Sequence, residues 1–184
     1  MEAPIFPGRR ALLFVRHGET EYNRCHRRCG GDVDIALTEQ GIAQARQAGQ
    51  RLRTQPDKID AIIASPLLRT RRTAELILAE ISPCPLLYHD GLIERRLGAW
   101  NGLDITASQA FFDAGLPPPG GEAEEVFRAR IRQTVADILA LPYRLPLLVA
   151  SKGVARVLAL FGGSATPTPA NNAEIIRFDF AGPP

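Results

Sequence analysis

Apolar residues in this chain fall into short dense runs, separated by stretches where they recur every three or four positions. Ala11-Leu12-Leu13-Phe14-Val15, Asp60-Ala61-Ile62-Ile63-Ala64 and Leu145 to Ala150 are short and continuous, as expected of buried strands. Glu39 to Arg53 reads as a helix capped by Thr38, with Ile42, Ala45, Ala48 or Gly49, and Leu52 on one face. Pro56-Asp57 ends it. Ser65-Pro66 reads as an N-cap followed by proline at the first helical position, opening a helix to about Glu80. Pro83-Cys84-Pro85 is a turn, Leu86 to Tyr88 a short strand and Asp90 to Gly102 a loop. A weak helix is expected over Asp104 to Ala114, then a stiff Pro117–Gly121 linker and a long helix from Glu122 to Ala140 with Phe127, Ile131, Val135 and Ile138 aligned. Gly153 to Phe161 is a helix, Gly162 to Ala170 a loop and Glu174 to Phe180 a last strand at a sheet edge. Strands alternating with helices predict an α/β fold in three layers, α/β/α, around a mostly parallel central sheet.

Composition narrows the classes. A chain of 184 residues with 45% hydrophobic and 23% charged residues is expected to form a single domain, 1–184, with a sizeable core. No apolar run approaches the ~18 residues that would cross a membrane. Met1 to Arg10 is Pro-rich without a signal-peptide core, so a cytoplasmic location is expected. Three cysteines argue against a disulfide framework. A net charge of only +2 gives no indication of a general nucleic-acid role. The cations themselves are unusual: all are Arg except Lys58 and Lys152. Arg24, Arg28 and Arg95 are candidates for a cationic mouth that would grip a second anionic group.

Candidate chemistry lies where strands end. Arg16-His17-Gly18-Glu19-Thr20 follows the first run, delivering a guanidinium, an imidazole and a side-chain-free residue to the carboxyl edge, where open α/β sheets bind ligands. Imidazole serves as nucleophile or base, Arg grips phosphate through paired hydrogen bonds, and Gly18 would let a ligand approach the backbone. Arg69 falls in the first turn of a helix whose free N–H groups favour anions. Glu94 and Gly98-Ala99-Trp100-Asn101-Gly102 follow the third short strand, and Ser151-Lys152-Gly153 follows the run ending at Ala150. A parallel sheet would gather all of these at one edge. Cys25-His26-Arg27-Arg28-Cys29 matches no zinc spacing, and no metal or other cofactor is expected. His26 and His89 read as loop residues, and Trp100 as a packing residue.

Arg-His-Gly-Glu-Thr, Gly30 through Leu37-Thr38-Glu39-Gln40-Gly41, Ser65-Pro66-Leu67-Leu68-Arg69-Thr70, Leu92-Ile93-Glu94 through Trp100 and Gly102, and Pro118-Pro119-Gly120-Gly121-Glu122, in this order, resemble the histidine phosphatase superfamily, which includes the cofactor-dependent phosphoglycerate mutases. The resemblance implies a phosphoglycerate mutase-like fold. It implies that His17 takes the phosphoryl group as phosphohistidine, that Arg16, Asn23 and Arg69 form the phosphate pocket with Gly30 and Gly153 as further phosphate- or substrate-binding residues, and that Glu94 protonates the leaving oxygen. The segment between Glu94 and Leu145 is too short for the insertion that grips substrate in the mutase branch, and the Gly-x-Trp-x-Gly pattern resembles the phosphatase branch. The expected partner is therefore a small phosphorylated substrate, with neither nucleic acid nor membrane. The pattern specifies no oligomeric state.

One position departs from the family pattern. Lys152 stands where that pattern places a second histidine. Lys supplies a charge and three donors on a longer stem without a fixed ring. Two outcomes follow: Lys152 is a working phosphate ligand, or the chain is a catalytically weakened relative that binds phosphorylated ligands or a protein partner.

Overall fold

The computed structural model describes residues 10–161 and 170–180. Five strands form one sheet: β1 (Arg10–Arg16), β2 (Ala61–Ala64), β3 (Leu86–Tyr88), β4 (Pro146–Ala150) and β5 (Ile175–Phe180). Their order is β3-β2-β4-β1-β5. β1 to β4 run parallel, and β5 is antiparallel to β1 at the edge. The helices are α1 (Glu21–Arg24), α2 (Glu39–Arg53), α3 (Leu68–Leu78), α4 (Gln109–Asp113), α5 (Glu124–Ala140) and α6 (Lys152–Phe161).

Alternation along the buried strands explains the continuous apolar runs. Leu12 and Phe14 of β1, Ile63 of β2 and Leu148 of β4 pack with Phe127, Ile131 and Ile138 of α5 and Val154 and Leu158 of α6. Leu13 and Val15, Ile62 and Ala64, and Leu147 and Val149 face the other way, against Ala48 and Leu52 of α2 and Ala74 and Ile77 of α3. A strand covered on both faces has no position for a polar residue, so the period-2 signal disappears. Burial of each of these large side chains contributes roughly 1.5–3 kcal/mol.

Several elements depart from the sequence-based expectation. The helix after β2 starts at Leu68, not Pro66, and its N-cap Leu67 supplies no side-chain bond. Asp34 supplies the missing acceptor: its Oδ1 takes the Leu68 N–H at 2.7 Å from a remote loop. The Ser65 hydroxyl is buried without a hydrogen-bond partner. Only Gln109–Asp113 of the expected Asp104–Ala114 helix is regular, because Asp104 ties the Ala107 N–H into a turn at 2.9 Å. Helix α5 starts two residues later than expected, at Glu124, while the Glu122 carboxylate is buried and held by Arg130 at 2.7 Å. Trp100 is 6% exposed and packs on Phe111 and Phe112, as expected of a core residue. The expected Gly162–Ala170 loop falls almost wholly outside the described residues.

Parallel register brings the strand ends together. Arg16 pairs with Ala150 and Ala64 with Val149, so the residues that follow each strand emerge side by side.

Candidate active site

His17 leaves the end of β1 with its N–H donated to the Ala150 carbonyl at 3.0 Å. Its ring is buried, and Nδ1 lies 2.8 Å from the Gly18 carbonyl oxygen. A carbonyl can only accept, so Nδ1 carries the proton and Nε2 keeps a lone pair. Burial holds this imidazole well below its ordinary value of 6.5, helped by the Arg69 and Arg16 charges and opposed by the Gly18 bond. The ring is therefore neutral near pH 7 with its basic nitrogen at Nε2. Gly18 does not expose backbone to a ligand as its sequence context implied. A Cβ there would strike the Gly41 carbonyl, so its lack of a side chain serves the packing of α2 against the end of β1.

His17, Arg16, Asn23, Glu94, Lys152 and Gly153 line one cavity of about 560 Å³. Asn23 is positioned by a capping box in which Thr20 caps α1. Its Oδ1 accepts from the Thr20 N–H and from Asn172 Nδ2, both at 3.1 Å. That leaves the Asn23 amide nitrogen as the group available to a ligand. Arg16 donates one terminal nitrogen to the Ala170 carbonyl at 2.8 Å.

Arg69 and Gly30 are not among the residues lining the cavity. Arg69 is 1% exposed and donates to the Val33 carbonyl at 2.7 Å and the Gly30 carbonyl at 3.2 Å. It anchors the 30–33 loop from below and adds its charge to the field at His17. The Gly30 N–H donates to Asn101 Oδ1 at 2.7 Å. Asp32 completes this tie by accepting from the Gly98 N–H at 2.7 Å and Asn101 Nδ2 at 2.8 Å. Partial burial opposes ionisation of Asp32, but its hydrogen bonds outweigh that and hold the carboxyl below its usual range.

Glu94 is held at both oxygens. Oε1 accepts the Arg95 N–H and Oε2 the Gly153 N–H, each at 2.7 Å. Gly153 has no space for a side chain, since a Cβ would strike the Glu94 carboxylate. Lys152, the first residue of α6, makes no side-chain hydrogen bond or ion pair among the described residues. Partial burial lowers its ammonium from the ordinary 10.5, and the Arg16 and Arg28 charges lower it further. Among the described residues, four buried side-chain polar atoms lack a protein partner: Arg16 Nε, Ser65 Oγ, Arg69 Nε and Ser151 Oγ. Only Arg16 and Ser151 of these line the cavity. Unpaired buried donors cost roughly 1–3 kcal/mol each, so these two favour an anion as the missing acceptor.

The expected cationic mouth is only partly formed. Arg24 pairs with Glu21 on the surface and does not line the cavity. Arg28 lies 4.0 Å over the Phe112 ring and donates to Ser108, Ile105 and Gln109. Arg95 is buried against the Glu122 carbonyl and Glu124. Sequence reasoning missed Asn172, which also donates to the His17 carbonyl at 3.0 Å. It missed Glu124, Arg128 and Arg156 as well, because their meeting depends on how α5 packs on α6. The Asn171-Asn172 pair before the last strand was the only available hint of the first.

The model for the histidine phosphatase superfamily (branch 1) matches residues 12–180. The chain is 34% identical over 167 residues to a 2,3-bisphosphoglycerate-dependent phosphoglycerate mutase of Methylobacterium sp. (strain 4-46), covering 84% of this chain and 76% of that protein. It is 36% identical over 176 residues to a probable phosphoglycerate mutase GpmB of Erwinia tasmaniensis, covering 90% of this chain and 79% of that one. An Escherichia coli protein proposed to be an alpha-ribazole-5'-P phosphatase superposes with a TM-score of 0.72 at 26% identity, over 84% of this chain and 80% of that one. With its strand order and its Arg-His-Gly strand end in place, the chain belongs to the histidine phosphatase superfamily, whose members are phosphatases and mutases.

Proposed function

We propose that this chain is a phosphomonoesterase that hydrolyses a small phosphorylated metabolite through a phosphohistidine at His17. The observation that carries the reading is the His17 tautomer: Nδ1–H is held by the Gly18 carbonyl at 2.8 Å, which leaves Nε2 as the nucleophile. Nε2 attacks phosphorus while the ester P–O bond breaks. Glu94 gives the leaving oxygen a proton, carried on the lone pair each carboxylate oxygen retains beside its backbone bond. Water then attacks the phosphohistidine and returns its proton to Glu94, and the P–N electron pair goes back to Nε2. Arg16, Asn23 and Lys152 supply charge and donors to the equatorial oxygens, while Arg69 acts from behind through His17 and the 30–33 loop. Lys152 fits the role of phosphate ligand because it is a cation without an ion-pair partner among the described residues, in a cavity that also holds His17.

A mutase reading is favoured by the names of the two curated relatives. The short segment between Glu94 and Leu145 speaks for hydrolysis, since a mutase must keep water from its phosphohistidine. The test is release of inorganic phosphate from a panel of monoesters, with acid-labile phosphoenzyme trapped in wild type and lost in His17→Ala. Phosphate release with labelled enzyme supports the reading. Phosphoryl migration within a substrate without release replaces it by the mutase. An inert wild type made active by Lys152→His replaces it by a binding role.

A further inference from the structure

We propose that Glu122 and Arg130, a buried ion pair outside the cavity, are positioning residues that fix the backbone of Glu94 and so keep its carboxyl in reach of the leaving oxygen. The inference rests on the reading of Glu94 as the proton donor.

Glu94 stands in a stretch, 94–97, that belongs to neither helix nor strand. Main-chain groups there have no ladder to join, so their partners must come from elsewhere. The 30–33 loop supplies one set. The Gly31 N–H donates to the Arg95 carbonyl at 3.0 Å, and Asp32 accepts the Leu97 N–H at 3.1 Å. This loop lies so close that a Cβ on Gly31 would strike the Glu94 carbonyl.

Glu122, just before α5, and Arg130, on α5, supply the other set. Arg130 Nη1 donates to the Gly91 and Ile93 carbonyls at 2.9 and 2.8 Å. The Glu122 N–H donates to the Arg96 carbonyl at 2.8 Å, and its carboxylate accepts the Arg96 N–H at 3.4 Å. Its carbonyl accepts Arg95 Nε at 2.7 Å. The pair therefore grips the chain one residue before Glu94 and at both residues after it.

The pair is itself rigid. Arg130 donates to both Glu122 oxygens, from Nε at 3.0 Å and from Nη2 at 2.7 Å, a two-pronged geometry. The Glu122 side chain is 3% exposed. For stability alone such a pair is a poor choice, because apolar residues of similar volume would fill the space without desolvating two charges. Apolar residues could not donate to two carbonyls and accept an amide at once. Neither Glu122 nor Arg130 is among the residues lining the cavity, so neither touches substrate. Their effect on turnover passes through the backbone that carries Glu94. The Gly153 N–H sets the direction of the carboxylate, and the pair sets the position of the chain behind it.

The test measures kcat/KM for propyl phosphate and 4-nitrophenyl phosphate in wild type, Glu94→Gln, Arg130→Lys, Glu122→Gln and the double variant Glu94→Gln/Arg130→Lys. Arg130→Lys keeps the charge and loses the fork, and Glu122→Gln keeps the shape and loses the charge. Each of these two should lose about 10- to 100-fold on propyl phosphate, whose alkoxide needs a well-placed proton. Each should lose less than about 10-fold on 4-nitrophenyl phosphate, whose leaving group does not. The ratio of the two esters within one variant is insensitive to its folded fraction. Inhibition by inorganic phosphate should keep its wild-type constant, since Arg16, Asn23 and Lys152 are untouched. Adding Arg130→Lys to Glu94→Gln should lower the ester ratio no further, because both changes act through one carboxyl. With a selective loss in Glu94→Gln, three results overturn the clamp and leave Glu94 as the donor: equal losses on both esters in Arg130→Lys and Glu122→Gln, weakened phosphate inhibition, or a further drop of the ratio in the double variant. An unselective loss in Glu94→Gln itself removes the proton-donor reading, and the clamp's part in turnover falls with it.

Discussion

Gly153→Ala tests the link between backbone and acid chemistry most directly. The new Cβ would lie 2.8 Å from both Glu94 Cδ and Oε2 and closer still to Oε1, so the carboxylate must swing aside. The swing removes the 2.7 Å bond from the Gly153 N–H and strains the matching bond from the Arg95 N–H. Each hydrogen bond to a charged group is worth about 1.5–3 kcal/mol. A displacement of ~1 Å in a reacting group costs on the order of 10²-fold in rate. The loss should fall on esters that need a proton donor. Propyl phosphate, whose alkoxide leaves poorly, should lose about 10²-fold in kcat/KM. 4-Nitrophenyl phosphate, whose leaving group needs little help, should lose less than about 10-fold. Overpacking should lower stability by roughly 1–3 kcal/mol, read as a fall in Tm. The assay is kcat/KM across esters of graded leaving-group basicity, where the folded fraction cancels from the slope. A loss equal across the series, or no loss at all, would refute Glu94 as the proton donor held by Gly153.

Three further outcomes follow. Lys152→Ala should weaken inhibition by inorganic phosphate about 10-fold or more, and wild-type turnover should decline as pH rises through the lysine's lowered value, a limb that Lys152→Arg should displace upward; unchanged phosphate inhibition excludes the lysine as a ligand. Folded His17 titrates well below 6.5 while the unfolded chain takes up its proton near that value, so stability should fall as pH drops below about 6.5, by at most about 1.4 kcal/mol per pH unit. Urea melts between pH 7.5 and 5.5 should show that slope reduced in His17→Gln, and activity should show no break near 6.5 from the nucleophile. Asn172→Ala removes the bonds to the His17 carbonyl and to Asn23 Oδ1 at 3.0 and 3.1 Å. It should cost about 1–2 kcal/mol in stability and raise KM as the Asn23 amide loses its fixed orientation, whereas a change in stability alone would limit Asn172 to a structural part.

Much of the fold is legible in the residues because each signal is local. Three strands, β1, β2 and β4, lie where short apolar runs stand, since burial on both faces leaves no other residue type tolerable there. Thr38 caps α2 through its own side chain, accepting the Gly41 N–H at 3.0 Å three residues on. The readings that failed depend on distant partners. Ser65 looks like a cap, yet Asp34 supplies the acceptor one position past the N-cap, at the Leu68 N–H. Arg24, Arg28 and Arg95 look alike in sequence, but Glu21 holds Arg24 on the surface, while Arg28 lies over the Phe112 ring and Arg95 pairs with a half-buried Glu124.

The candidate site divides along the same line. His17, Arg16, Asn23, Glu94, Lys152 and Gly153 could be named from the chain alone, because strand ends and their following turns carry them and a parallel sheet must gather strand ends at one edge. The state of those groups belongs to tertiary structure. Burial beside Arg69 and Arg16 keeps the His17 ring neutral, the Gly18 carbonyl chooses its tautomer, and the Gly153 N–H orients Glu94. Packing of α5 on α6 decides which arginines face the cavity and which are spent as struts. Periodicity along a chain records which side of an element is buried. Desolvation, hydrogen-bond direction and the pairing of charges depend on atoms that approach only after distant segments have met.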